Sequence, residues 1–74
     1  MPPEYPTDRV ERELRERLAS GEWTPGERIP SVGTLAGELH SSRVTVSKAV
    51  RRLVDEGLLV VLPNYGTFVA EQGK

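Results

Sequence analysis

Ser42-Arg43-Val44-Thr45-Val46-Ser47-Lys48-Ala49-Val50-Arg51-Arg52-Leu53-Val54-Asp55-Glu56-Gly57 is the stretch on which the fold turns. Its spacing predicts a helix over 42–56 of about four turns, at roughly 3.6 residues per turn. Ser42 is placed to cap it, with a hydroxyl that can accept from an otherwise orphaned backbone N–H. Gly57 is placed to stop it, because glycine enters the left-handed conformation after a helix without a Cβ clash. Val46, Ala49, Val50 and Leu53 recur at the i, i+3, i+4, i+7 interval of a buried face. The outward face then carries Val44, Ser47, Lys48 and Arg51, with Thr45 and Arg52 on a shoulder. Lys48 stands three residues before Arg51 and four before Arg52, and each like-charge pair costs an isolated helix a few tenths of a kcal/mol. No acidic residue occurs from His40 to Val54. A repelling basic face is reasonable if a polyanion lies against it. The alternative is a solvated surface on which Arg51 pairs with Asp55 and Arg52 with Glu56.

The 74 residues predict a single small domain over 1–74, with an ordered core over about 5–70. Hydrophobic residues make up 36% and charged ones 28%, too apolar a balance for a disordered tail. Cysteine is absent, which excludes a disulfide framework, a thiolate zinc site and a thiol nucleophile. The single His40 lacks a second histidine or cysteine to share a metal, so it is read as a turn residue and no metal or cofactor is expected. No apolar run is long enough for a bilayer and the N-terminus does not look like a signal peptide, so a cytoplasmic location without membrane contact is expected. Paired carboxylates with a pocket signal, a phosphate-binding glycine loop and a nucleophile with its base are all missing from the pattern, which speaks against an enzyme. The net charge of −1 is unlike the basic balance of most nucleic-acid binders. The distribution is more favourable than the sum, since Arg43, Lys48, Arg51 and Arg52 fall in one acid-free segment.

Upstream, Thr7 is read as the cap of a first helix with Asp8 in its first turn and Val10, Leu14 and Leu18 as its apolar stripe. Its alternating arginines and glutamates look like a solvated face, and Gly21 ends it. Thr24-Pro25-Gly26-Glu27 has the chemistry of a type II turn. Trp23 is assigned to packing, and Arg28-Ile29-Pro30 to extended chain. Ser31 caps a short second helix with Leu35, Ala36 and Leu39 inward. Only His40-Ser41 separates it from Ser42, which is the helix-turn-helix arrangement. Leu58 to Leu62 reads as a mostly buried strand. Pro63-Asn64-Tyr65-Gly66 is a turn in which Asn64 and Gly66 can take positive φ, and Thr67-Phe68-Val69 returns as the second strand of a hairpin. Phe68 is expected in the core and Tyr65 at the exposed tip. The expected class is α+β, mainly α: a three-helix winged helix-turn-helix with a C-terminal β-hairpin wing.

The order of these pieces resembles the DNA-binding domain of GntR-type bacterial transcription regulators, from about Tyr5 to Ala70. The resemblance is carried by Pro25-Gly26-Glu27-Arg28-Ile29-Pro30-Ser31, by Leu35-Ala36 with Leu39, and by Ser42-Arg43 with Thr45-Val46. Ala49, Leu53, Glu56-Gly57-Leu58 and Gly66-Thr67-Phe68-Val69 complete it. It implies sequence-specific binding of a double-stranded DNA operator in transcription regulation, with repression as the expected outcome. The third helix would enter the major groove and the wing, residues 63–67, the neighbouring minor groove. The family's contact positions fall on Ser42, Arg43 and Thr45, and on Asn64 and Gly66 at the wing. From side-chain chemistry Arg43 is then expected at a guanine edge, Val44 at a thymine methyl, Thr45 at a phosphate, and Lys48, Arg51 and Arg52 at phosphates. Ser47 and Tyr65 complete the expected surface.

The chain also departs from the family pattern. The Glu-Arg that usually follows Pro-Ser is Val32-Gly33, so a DNA-contacting arginine is missing. The Gly-Val of the turn is His40-Ser41, the basic residue two positions after Thr45 is Ser47, and the wing's first glycine is Asn64. The operator therefore does not carry over. A second reading, a winged helix turned to protein interaction, draws on the acidic balance and the lost arginine. Nothing in the chain resembles the effector-binding C-terminal domain of such regulators. The isolated domain is expected to be a monomer that binds one half-site, with two copies meeting on DNA or through a C-terminal domain.

Overall fold

A computed structural model describes residues 5–71; expectations for residues 1–4 and 72–74 lie outside that range. Three helices, α1 (Pro6–Ser20), α2 (Val32–Glu38) and α3 (Arg43–Asp55), precede two strands, β1 (Leu59–Leu62) and β2 (Gly66–Val69). The strands pair antiparallel with Leu59 opposite Val69 and Val60 opposite Phe68. This is the expected winged helix-turn-helix.

α3 is the hub, packing against α1, α2 and β1. Its inward residues Val46, Ala49, Val50 and Leu53 join Val10, Leu14, Trp23, Ile29, Leu35, Ala36, Leu39, Leu59 and Val69 in one buried cluster. Burying each larger aliphatic side chain is worth about 1.5–3 kcal/mol, and a domain this small has little apolar surface in reserve. Trp23 is packing, as expected of a tryptophan in so small a domain, and the Arg17 guanidinium lies 5.7 Å from its ring centroid.

Local chemistry fixes the helix ends. The Ser42 and Ser31 hydroxyls accept from Thr45 N and Thr34 N. Gly57 follows α3 at φ 83° and Gly21 follows α1 at φ 84°. The α2–α3 turn is closed by His40, which adopts φ 54°. Gly26 takes φ 85° in the Thr24–Glu27 turn, whose Glu27 N–H donates to Thr24 O at 2.9 Å.

Several expectations are corrected. α1 is capped two residues earlier than Thr7: Tyr5 is its N-cap without a side-chain bond and Pro6 opens the helix, where the missing proline N–H costs nothing. The β1 segment is not mostly buried. Leu59 alone is covered, while Val60, Val61 and Leu62 are 42%, 52% and 44% exposed, because the hairpin runs out beyond the helices that cover its base. Phe68 is half-buried and outside the core cluster. The register turns Leu59 and Val69 inward, so Val60 and Phe68 share the opposite face. Arg28 is more than extended chain: it bridges to Phe68 and makes a third, minimal strand.

Candidate nucleic-acid interface

The exposed side of α3 is a continuous polar and basic surface. Val44, Ser47, Lys48, Arg51 and Arg52 line one shallow open groove along it. A second, between α3 and the hairpin, is lined by Val32, Ser47, Val50, Arg51, Val54, Val61 and Thr67. Val44 stands out from the first turn at 64% exposure. It belongs neither to the buried core cluster nor to the apolar residues packed against it.

At the start of α3 the cap sets the geometry. Ser42 Oγ accepts from Thr45 N at 3.1 Å and donates to Thr45 Oγ1 at 2.9 Å. Arg43 lies over α2: a Cβ on Gly33 would stand 3.2 Å from its Nη2. Gly33, where the family resemblance implies an arginine, thus lies under the guanidinium of Arg43. Among the described residues neither Arg43 nor Lys48 has an ion-pair partner, and both are exposed. Arg51 Nε lies 3.5 Å from Asp55 Oδ1, with both side chains largely in solvent, a pairing worth little.

Arg52 differs from the other cations. It does not meet Glu56, as helix spacing suggests. Its Nη1 donates to Asp8 Oδ1 at 2.6 Å and to Glu11 Oε1 at 3.1 Å, both on α1. Glu56 is taken by Arg15, which also holds Glu11 Oε2 at 2.6 Å. The alternating face of α1 is therefore not only solvated. It clamps both edges of α3 that face it, and Arg17 reaches Glu38 of α2 at 2.8 Å. Hydrogen bonds from Arg15 and then Arg52 hold the Glu11 carboxyl below its ordinary range. Asp8 and then Glu11 raise the Arg52 guanidinium above its ordinary value, and Glu56 and then Glu11 do so for Arg15. Unlike Arg43 and Lys48, Arg52 thus has carboxylate partners, although its side chain is still 48% exposed.

The wing brings the remaining residues together. Tyr65 is exposed at its tip, Asn64 adopts φ 71° and Gly66 φ 122°. Tyr65 N donates to Leu62 O at 2.9 Å, closing the turn. No group of three or more histidine, cysteine, aspartate or glutamate residues among the described residues is arranged to hold a metal, and no helix there is long and apolar enough to cross a membrane.

Comparison with known proteins agrees with this geometry. Residues 6–69 match the family model for bacterial regulatory proteins, gntR family. The histidine utilization repressor of Klebsiella aerogenes is 47% identical over 64 residues, which cover 86% of this chain and 27% of that protein. The histidine utilization repressor of Pseudomonas putida is 43% identical over 63 residues, covering 85% of this chain and 25% of that protein. The chain thus spans about a quarter of the length of these relatives. Among solved structures, AraR(DBD) in complex with operator ORR3 superposes with a TM-score of 0.82 at 32% identity, covering 95% of this chain and 88% of that one.

Proposed function

This chain belongs to the GntR family of bacterial regulatory proteins, and we propose from that premise that it binds double-stranded operator DNA sequence-specifically and represses transcription. In this reading α3 lies in the major groove. Arg43 and Val44 meet base edges, and Ser42, Thr45, Ser47, Lys48 and Arg51 fix the backbone, with Asn64, Tyr65 and Gly66 at the minor groove. Arg52, held by α1, positions α3 and does not bind phosphate. The protein is a regulator and not an enzyme, and it works in the cytoplasm where its operator lies.

The observation that carries the reading is the outward face of α3. It presents Arg43 and Lys48, without ion-pair partners among the described residues, beside an exposed Val44 with no carboxylate on the same turns. That combination suits a surface reading both charge and methyl groups. The relatives named above are repressors, and AraR(DBD) is seen with an operator. The exposed Val60-Val61-Leu62 strip favours the protein-interaction reading as the competitor.

Selection of bound sites from a random duplex pool tests the proposal. The expected result is enrichment of a short motif containing guanine at a fixed position. Recovery of unenriched sequence, or of nothing, contradicts it.

A further inference from the structure

Residues 57–70, which run from the end of α3 through the whole hairpin, contain no charged side chain. Such an element has no charge with which to hold a phosphate backbone. The fold supplies one from a distant part of the chain. Arg28 is bridged to Phe68, and the pairing is fixed on either side: Ile29 N donates to Thr67 O and Val69 N donates to Glu27 O, each at 2.9 Å. From this strand the Arg28 side chain runs toward the wing tip and lies across Gly66. A Cβ at Gly66 would stand 2.6 Å from Arg28 Nε and 3.3 Å from Cζ. Gly66 also adopts φ 122°, a conformation natural only to glycine. The glycine therefore both shapes the turn and leaves the bare backbone on which the guanidinium rests.

Arg28 is exposed and has no ion-pair partner among the described residues. Its neighbour Glu27 is turned away, accepting from Thr24 N at 2.9 Å and from Thr24 Oγ1 at 3.2 Å. The cation is thus available, held in place by the β-pairing, and set beside an otherwise uncharged wing.

We propose that Arg28 is the wing's DNA-binding cation, its guanidinium engaging a phosphate or groove edge alongside Gly66. The inference rests on the DNA-binding reading above and adds to it a residue outside both α3 and the hairpin. It also offers a route by which this chain carries a cation to DNA despite the glycine at position 33.

Salt titrations of the 74-residue chain on one selected duplex test it. The slope of log K against log salt should be shallower by about 0.9 in Arg28→Gln, a roughly 3-fold smaller loss between 50 and 200 mM salt. Arg28→Lys should keep the wild-type slope. On a duplex trimmed at the wing-side end, wild type and Arg28→Gln should coincide. An unchanged slope in Arg28→Gln on the full duplex overturns the proposal. A reduced slope that persists on the trimmed duplex places the Arg28 contact elsewhere and overturns the wing assignment. Should Arg28→Gln fail to fold, trimming must by itself lower the wild-type slope by about 0.9, and no change overturns it. A wild-type chain that ignores DNA at all salt concentrations overturns this inference together with the DNA-binding reading, whereas enrichment of a motif with no Arg28 effect leaves that reading standing and removes only Arg28.

Discussion

Arg43 and Lys48 are both exposed cations on α3, yet their settings give them different work. Arg43 sits in the first turn against Gly33 of α2, and its planar, five-donor guanidinium has the chemistry to read a base edge. Lys48 is just over one turn further along, exposed and without an ion-pair partner among the described residues, a point charge suited to phosphate. Arg43→Ala is expected to cost about 1–3 kcal/mol on the selected duplex and to relax preference at one base, while Lys48→Ala weakens selected and random duplexes alike. Competition binding with single-base variants of the site checks both. If Arg43→Ala loses affinity equally on every sequence, it is a phosphate clamp and not a reader. Much at this scale is legible from residue type. Ser42, Ser31, Gly57, His40 and Asn64 take the conformations that their side chains and neighbours dictate. Arg28 is not legible, because the residues that give it meaning, Phe68 and Gly66, lie some forty positions away in the chain.

At the scale of elements, the pairing of α1 with α3 decides what the basic helix can offer. Helix spacing alone assigns Arg52 to Glu56 or to phosphate, since i,i+4 neighbours are the pairs a linear pattern can see. The fold sets Arg52 against Asp8 and Glu11 instead, across 44 and 41 positions of sequence. Such a partner depends on how two helices pack and has no local signature. The hairpin shows the same limit. A run of Leu and Val predicts a strand correctly, but which residues it buries depends on a register that Arg28, Phe68 and the inward Leu59–Val69 pair set together.

The α1–α3 clamp has a pH signature. The Glu11 carboxyl is held below its ordinary 4.5 in the folded state, chiefly by Arg15. The folded state therefore favours the carboxylate more than the unfolded chain does. Its contribution to stability is fully present above that ordinary value and is lost as the pH falls through the lowered folded one. Glu11→Gln should melt below wild type at neutral pH, and the two melting curves should converge in acid. A gap in melting temperature that stays constant from pH 7 to pH 3 would remove Glu11 from the clamp.

For the molecule as a whole, the net charge of −1 is the sum of two different surfaces. The acids of α1 are largely spent in ion pairs along that helix and with α3, whereas Arg43, Lys48 and Arg28 are left without partners among the described residues. Fold class was readable because periodicity, caps and turn chemistry agree along the chain. The total charge was the misleading quantity, since only the folded arrangement separates neutralised cations from available ones. The central claim, that these available cations meet a polyanion, is tested most directly by binding of the wild-type chain to its selected duplex across a salt series. With Lys48, Arg51 and Arg28 on phosphates, log K should fall against log salt with a slope between about −2 and −3, at about −0.9 for each phosphate neutralised. A slope near zero would contradict the account.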